Sequence, residues 1–174
     1  MTNHYYYPSQ EITPLTMAVL AQTGEDNAYT SILEGEDECF IELSPTKLID
    51  IACKSFGASL KGRQEGTRDI SKITHKAPIA IDPSSGMYFF PTISPKNTKC
   101  SWIAHSHIDK MKKKKTKTHC TEIIFKNGKS ITIDVSYGSL LNQIQRTAQF
   151  RYLLDNRIKY LQRPNADMVA EPYA

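Results

Sequence analysis

The sequence predicts an α+β protein, a single domain of antiparallel hairpins with one short helix and one long C-terminal helix. Two observations carry this prediction: short apolar runs flank turn-forming residues at two places, and a helical apolar stripe follows the second of them. The 174 residues, 40% of them hydrophobic, can bury one sizeable core, and nothing demands two domains. We expect an N-terminal arm at 1–15, the domain at 16–163 and a tail at 164–174.

Three strands are predicted at the start of the domain, and they should form an antiparallel meander. Turn formers lie within 22–27, and the acidic linker 34–38 gives the meander an acidic rim. The rim is either a solvated loop, a surface that guides a partner protein or one that repels DNA from the wrong face. The predicted strands are 16–21, 28–33 and 39–43.

A short helix should begin after Ser44, which is a suitable N-cap followed by Pro45 at the first helical position. Gly57 should end it. Beyond Gly57 the pattern leaves two interpretations open, because 58–63 could form a further helical turn, whereas 69–74 could be a strand or a loop. Glycines at 57, 62 and 66 offer positions for positive φ or for close approach of another chain.

Three further β segments are predicted downstream. Residues 78–81 and 87–90 flank the turn sequence 82–86 and predict a hairpin. Residues 100–108 alternate as a strand, with Cys100, Trp102 and Ala104 on one face and Ile103, His105 and His107 on the other. A second hairpin, 120–125 with 130–135, should turn at Asn127-Gly128.

The last element should be a helix from about Ser139 to Gln162, because Arg163-Pro164 stops it. Arg151 interrupts the stripe and should extend to the surface or pair with a carboxylate. Arg146 lies on the opposite polar face, which could contact DNA or a second subunit. The core-facing residues are predicted to be Leu140, Ile144, Ala148, Leu154, Ile158 and Leu161.

Charge is distributed unevenly along the chain. Residues 1–44 hold eight acids and no Lys or Arg, so the rest of the chain holds all 22 bases and the remaining 10 acids. Six lysines lie between 110 and 117, where like charges predict a mobile tip between two strands. Such lysines either contact phosphates without reading bases or only increase solubility. The overall pattern favours a polyanionic partner, with a mixed solvated surface as the alternative.

Other classes of site find little support. His105 and His107 could be combined with Cys120 as zinc ligands, but the loop spacing of a structural zinc site is missing. The four cysteines lack CxxC spacing and should be free thiols. We predict no metal, no cofactor and no catalytic residues, because no nucleophile motif or phosphate loop is present. We also predict no membrane span and no secretory signal, hence a cytoplasmic protein.

Several blocks in register resemble the competence transcription factor ComK family of low-GC Gram-positive bacteria. The blocks are FGASLKGRQEGT, KITHKAPIAIDP, MYFFPTISP, CSWIAHSHI and SYGSLLNQIQRTAQFRYLLDNRI. The resemblance covers roughly 16–160. It implies a DNA-binding activator of its own gene and of genes for DNA uptake and recombination, which binds A·T-rich sites through the minor groove as an oligomer. It also implies control by a proteolytic adaptor and contact with RNA polymerase. Members of the family are less lysine-rich around 110–117 and generally continue further at the C-terminus.

The residues and the resemblance together give a set of candidate DNA contacts. No helix-turn-helix is predicted, so loops bearing Arg and Lys should enter the minor groove. The alternatives are a small nucleic-acid-processing enzyme or a protein-binding regulatory module. The candidates are Lys61, Arg63, Arg68, Lys72, His75, Lys76, Lys112, Lys113, Lys114, Lys115 and Arg146.

Overall fold

The computed structural model describes residues 11–23, 28–116 and 119–162. Most of the predicted N-terminal arm, the tip of the first hairpin at 24–27 and the predicted tail lie outside the described residues. The α+β class with a long C-terminal helix is confirmed. None of the described helices is long and apolar enough to cross a membrane.

Six antiparallel strands form the main sheet. They are β1 Thr16–Thr23, β2 Ala28–Glu34, β3 Asp37–Ile41, β4 Ile79–Asp82, β5 Met87–Pro91 and β6 Trp102–Ala104. Their order across the sheet is β3-β2-β1-β6-β5-β4. The meander and the first predicted hairpin are confirmed within a few residues of the expected bounds. β6 joins the two halves, because Val19 of β1 and Pro91 of β5 both pair with Trp102.

Helix α1, Pro45–Ser55, covers one face of this sheet, and helix α2, Leu60–Ser71, follows it and lies against β4. Ser44 caps α1 as predicted, and Gly57 lies at φ 85° after the helix. The indole Nε1 of Trp102, a fully buried residue, donates to Thr46 Oγ1 at 3.1 Å and ties α1 to the sheet. Isoleucines and aromatic residues of the sheet pack with the apolar side of α1 and with Leu60 of α2 in one core cluster, whereas Ile70 of α2 packs in another cluster with Tyr88.

α2 resolves the segment that the sequence left open. Gly62 and Gly66 lie inside the helix, so neither supplies positive φ. A four-residue connection leads from α1 into this second helix, so the further helical turn considered for 58–63 is the start of a longer helix, and 69–71 are neither strand nor loop. Ser59 caps that helix by accepting from Gly62 N at 3.1 Å.

A separate three-stranded sheet lies on the other face of the main sheet, in the order β7-β8-β9. Its strands are β7 Ile108–Lys113, β8 Thr121–Phe125 and β9 Ser130–Ile133, with Gly128 at φ 88° in the predicted β8–β9 turn. The continuous strand predicted at 100–108 was wrong, because a 3-10 turn at His105–His107 separates β6 from β7. The predicted alternation holds for Cys100, Trp102 and Ala104, which share one core cluster while Ile103 belongs to the other.

The long helix α3, Tyr137–Gln162, packs beside the small sheet and across β5. Its buried residues are Leu140, Gln143, Thr147 and Phe150, so the core-facing side is rotated from the predicted stripe. Ala148 is exposed and Leu161 is 72% exposed, contrary to the prediction for both. Phe150 packs edge-to-face on Tyr88, with ring centroids 6.0 Å apart.

Candidate nucleic-acid interface

The outer side of α2 presents a row of charged residues. Lys61, Glu65, Arg68 and Lys72 are exposed, and their spacing of three and four places them on one side of the helix. The opposite side is fixed to β4, because the buried Thr67 Oγ1 donates to Pro78 O at 2.6 Å. The row is therefore held rigidly with respect to the main sheet.

At the end of α2 the chain forms a short segment, 72–76, that we call the basic loop. Lys72 has φ 63° and Lys76 has φ 46°, both in the left-handed region that side chains other than glycine rarely adopt. Such conformations cost about 1–3 kcal/mol each and persist only where the surroundings impose them. No acid occurs between Asp69 and Asp82, so the loop carries basic side chains and no negative charge.

Two side chains of α3 hold the basic loop from inside the protein. Gln143 is 1% exposed, and its Nε2 donates to Lys76 O at 3.0 Å and to Pro91 O at 2.9 Å. Arg146 Nη1 donates to Gln143 Oε1 at 2.7 Å, and Nη2 donates to His75 O. With the carbonyls of His75 and Lys76 bound inward, the side chains of Lys72 and His75 are exposed and that of Lys76 is half-buried. Sequence reasoning missed Gln143, because a buried amide within a helical stripe carries no signal of its partners.

We predict that Gln143→Ala lowers the free energy of unfolding by about 1–3 kcal/mol. The reason is that a buried carbonyl left without a donor carries a desolvation penalty of that size. Denaturant titration followed by circular dichroism measures the change. The exposed neighbour gives the control, since Gln145→Ala should shift stability by less than about 0.5 kcal/mol. Equal effects of the two substitutions would contradict the bridging role of Gln143.

The predicted residues of this region divide into two groups. Lys61, Arg68, Lys72 and His75 are exposed and Lys76 is half-buried beside them. Arg63 instead points inward and donates Nη2 to Phe56 O at 3.0 Å and to Ile81 O at 3.2 Å. Its Nε is buried with no acceptor among the described residues. This geometry suits an anchor between α1, α2 and β4.

Arg146 and Arg151 of α3 are also engaged within the protein. Arg146 was expected on an outward polar face, but it is half-buried beneath the basic loop, and burial lowers its pKa. Arg151 was expected to reach the surface or pair with a carboxylate. It lies over the Tyr88 ring at 4.9 Å from the centroid and donates Nη1 to Ser106 Oγ at 2.8 Å.

The lysine-rich segment forms what we call the lysine edge, Lys110 and 112–115. The expectation of a mobile tip was wrong for three lysines of β7. Lys110, Lys112 and Lys113 pair there with Ile124, Glu122 and Thr121, respectively. Lys113 Nζ lies 5.4 Å from the centroid of the Tyr137 ring. Lys114 follows the end of β7, and its Nζ is 3.9 Å from Glu122 Oε1. Lys117 lies outside the described residues.

The histidines and cysteines occupy separate places. Burial and the neighbouring Arg151 guanidinium lower the pKa of His105, so its imidazole is neutral near pH 7. His107 Nε2 is 2.8 Å from Pro14 O. All four cysteines are free thiols, as predicted. Within the part of the chain that the structure describes, no three His, Cys, Asp or Glu side chains gather as a metal site.

The fold and the charge distribution define a single-domain α+β protein that presents a helix of mixed charge followed by a basic loop, and elsewhere a lysine-rich strand edge. The chain belongs to the ComK family, since the family described as ComK protein matches residues 7–159. It is 36% identical over 152 residues to the competence transcription factor of Bacillus subtilis (strain 168), covering 87% of this chain and 78% of that protein. No solved structure matches the chain. The family is one of transcription factors and not of enzymes, as the sequence predicted.

Proposed function

We propose that the protein is a sequence-specific DNA-binding activator of transcription of competence genes, those for DNA uptake and recombination. The observation that supports it best is the basic loop, a strained and acid-free segment that buried side chains hold in place. The Bacillus relative is a competence transcription factor, and 36% identity over most of both chains supports the same role here. The activator acts in the cytoplasm on double-stranded DNA.

The DNA-binding surface in this proposal consists of the exposed row of α2 and the basic loop. Glu65 and Asp69 interrupt the bases on α2, and carboxylates are unfavourable in a groove bordered by phosphates. The basic loop has no such interruption, so it enters the groove while Lys61 and Arg68 contact phosphates. A loop of this kind suits the narrow minor groove of A·T-rich sites, whose negative potential attracts cationic side chains.

The direct test is binding of the purified protein to an A·T-rich duplex from a competence promoter, against a random duplex of equal length. We expect tighter binding to the promoter duplex and activation of a reporter gene that carries it. Failure of both would refute the proposed function. On DNA the protein acts as a homo-oligomer, and RNA polymerase and a proteolytic adaptor are its further partners in this proposal.

The lysine edge adds phosphate contacts without sequence information in the same proposal. Replacing Lys112, Lys113, Lys114 and Lys115 by Ala should weaken binding to specific and random DNA equally. The slope of log K against log salt should flatten by about 0.9 for each phosphate that the variant no longer neutralises. Fluorescence anisotropy at four or more salt concentrations measures both quantities. An unchanged slope would mean that these lysines act only to protect the strand edge or to increase solubility.

A protein-binding regulatory module is the second candidate, favoured by the acidic residues of the β2–β3 hairpin. Glu36, Asp37 and Glu38 are exposed there beside Phe40, which is 60% exposed. Such a surface suits a protein partner better than DNA. If the module were the whole function, the salt slope of any DNA binding would be close to zero.

A further inference from the structure

Two of the four edge strands of the two sheets, β3 and β7, carry opposite charge. Within the described residues, β3 ends the main sheet and β7 ends the small sheet, and each pairs on one side only. The outer backbone groups of such strands are available to another strand. β3 and its turn carry the exposed acids Glu36, Asp37 and Glu38, whereas β7 and its turn carry the lysine edge.

The hairpin geometry determines which backbone groups of β3 point outward. Glu34 pairs with Asp37 across the two-residue turn Gly35-Glu36, so these two form a hydrogen-bonded pair. Alternation along the ladder then leaves Glu38 and Phe40 with N–H and C=O groups facing away from β2. Their side chains share one face of the sheet, where Phe40 packs edge-to-face on Tyr29 with centroids 5.9 Å apart.

The same reasoning applies to β7. Lys114 N donates to Cys120 O at 3.3 Å, so Lys114 and Cys120 form a hydrogen-bonded pair. Because hydrogen-bonded pairs recur at every second residue, Lys112 and Glu122 form the next one. Met111 and Lys113 therefore direct their backbone groups outward. Each strand thus has two residues, with one residue between them, whose backbone N–H and C=O groups point outward. This is the spacing that an added antiparallel strand requires.

We propose that β3 of one molecule pairs antiparallel with β7 of a second copy of this chain. With Glu38 opposite Lys113, Phe40 falls opposite Met111, and the acids at 36 and 37 meet Lys115 and Lys114. Opposite charges and an aromatic–thioether contact then coincide in one register. Two β3 edges would repel each other, as would two β7 edges, so the charges disfavour a symmetric pairing and select the mixed one.

The interface is head-to-tail, because each molecule uses a different edge toward each neighbour. It therefore builds rings or open chains and not a closed two-fold dimer. Each strand has only five or six residues, so a single contact is weak and depends strongly on salt. The inference does not rest on DNA binding, and its test contains no DNA.

The test uses two charge-reversed variants and their mixture. In the first, Glu36, Asp37 and Glu38 become Lys; in the second, Lys113, Lys114 and Lys115 become Glu. Sedimentation velocity at low salt should show concentration-dependent association of the unaltered protein and association about tenfold weaker for each variant alone. An equimolar mixture should recover the association, because each variant then offers an edge that complements the other.

A matched control separates edge pairing from general attraction between oppositely charged proteins. Lys47→Glu/Lys96→Glu/Lys99→Glu changes the charge by the same amount as the second variant, at exposed positions away from β7. Combined in one chain with the three substitutions of the first variant, it restores the original net charge but leaves the β3 edge basic, so association should remain about tenfold weaker than that of the unaltered protein. Recovery of association in this combined variant, or no association of the unaltered protein, would overturn the proposal.

Hydrogen exchange on the unaltered protein gives a second measurement that needs no variant. The amides of Glu38, Phe40, Met111 and Lys113 should exchange more slowly as protein concentration rises. Those of Cys39 and Lys112, which already face a partner strand, should change little. Equal changes along both strands, or none, would contradict the register.

Discussion

Replacing Lys61, Arg68 and Lys72 by Ala should lower affinity for DNA by about 500-fold at 0.1 M salt and reduce the salt slope by about 2.7. These values assume that each side chain contributes one phosphate contact, worth about 0.9 in log K per decade of salt. All three are exposed on one side of α2 or at its end. Because they do not contribute to the core, the fold should remain intact, and anisotropy titrations measure the decrease directly.

The control for this prediction removes lysines elsewhere. Lys126→Ala/Lys129→Ala takes two lysines from the β8–β9 turn of the small sheet. This variant should retain affinity within about threefold, since it removes only long-range attraction that is largely screened at 0.1 M salt. If it loses as much affinity for each residue replaced as the triple variant, α2 is not the DNA-binding surface.

Binding to an A·T-rich site should survive replacement of A·T pairs by I·C within about tenfold, or about 1.4 kcal/mol. Substitution by G·C at the same positions should instead cost about 1–3 kcal/mol per pair. An I·C pair changes the major-groove edge but leaves the minor-groove pattern nearly intact, whereas G·C adds the amino group of guanine to the minor groove. Competition titrations with the three duplexes measure the differences.

This prediction distinguishes the two elements that could read bases. α1, its four-residue connection and α2 are arranged in sequence like a helix-turn-helix, in which the second helix reads the major groove. The acids on α2 weigh against that mode, and the basic loop offers the alternative. If I·C is rejected as strongly as G·C, α2 becomes the reading element and the basic loop only contacts phosphates.

The sequence predicted the elements whose signals are local. The hairpin that turns at Asn127-Gly128 and the helix start at Ser44 were confirmed, because turn and cap chemistry depends on adjacent residues. α2 could not be decided, since Gly62 and Gly66 lower helix propensity and its buried side includes Thr67 and Ser71. Packing against β4 compensates for both, and no local pattern shows that contact.

The exposed residues of the candidate site could be predicted from the sequence, because charged side chains usually lie at the surface. Lys61, Arg68, Lys72 and His75 lie on the surface, as bases usually do. Arg63 and Arg146 differ because their guanidinium groups satisfy backbone carbonyls of distant segments. Those carbonyls lie 18 and 71 residues away in the chain, so only the tertiary structure reveals the pairing.

Trp102 gives the molecule an optical property that follows from its position. It is the only tryptophan in the chain, it is fully buried between α1 and the main sheet, and its indole N–H is bound to Thr46. Its fluorescence therefore reports the state of the core and is shielded from direct quenching by bases at the surface. In every variant of the exposed lysines and arginines, an unshifted emission spectrum would indicate an intact interior without any attached label.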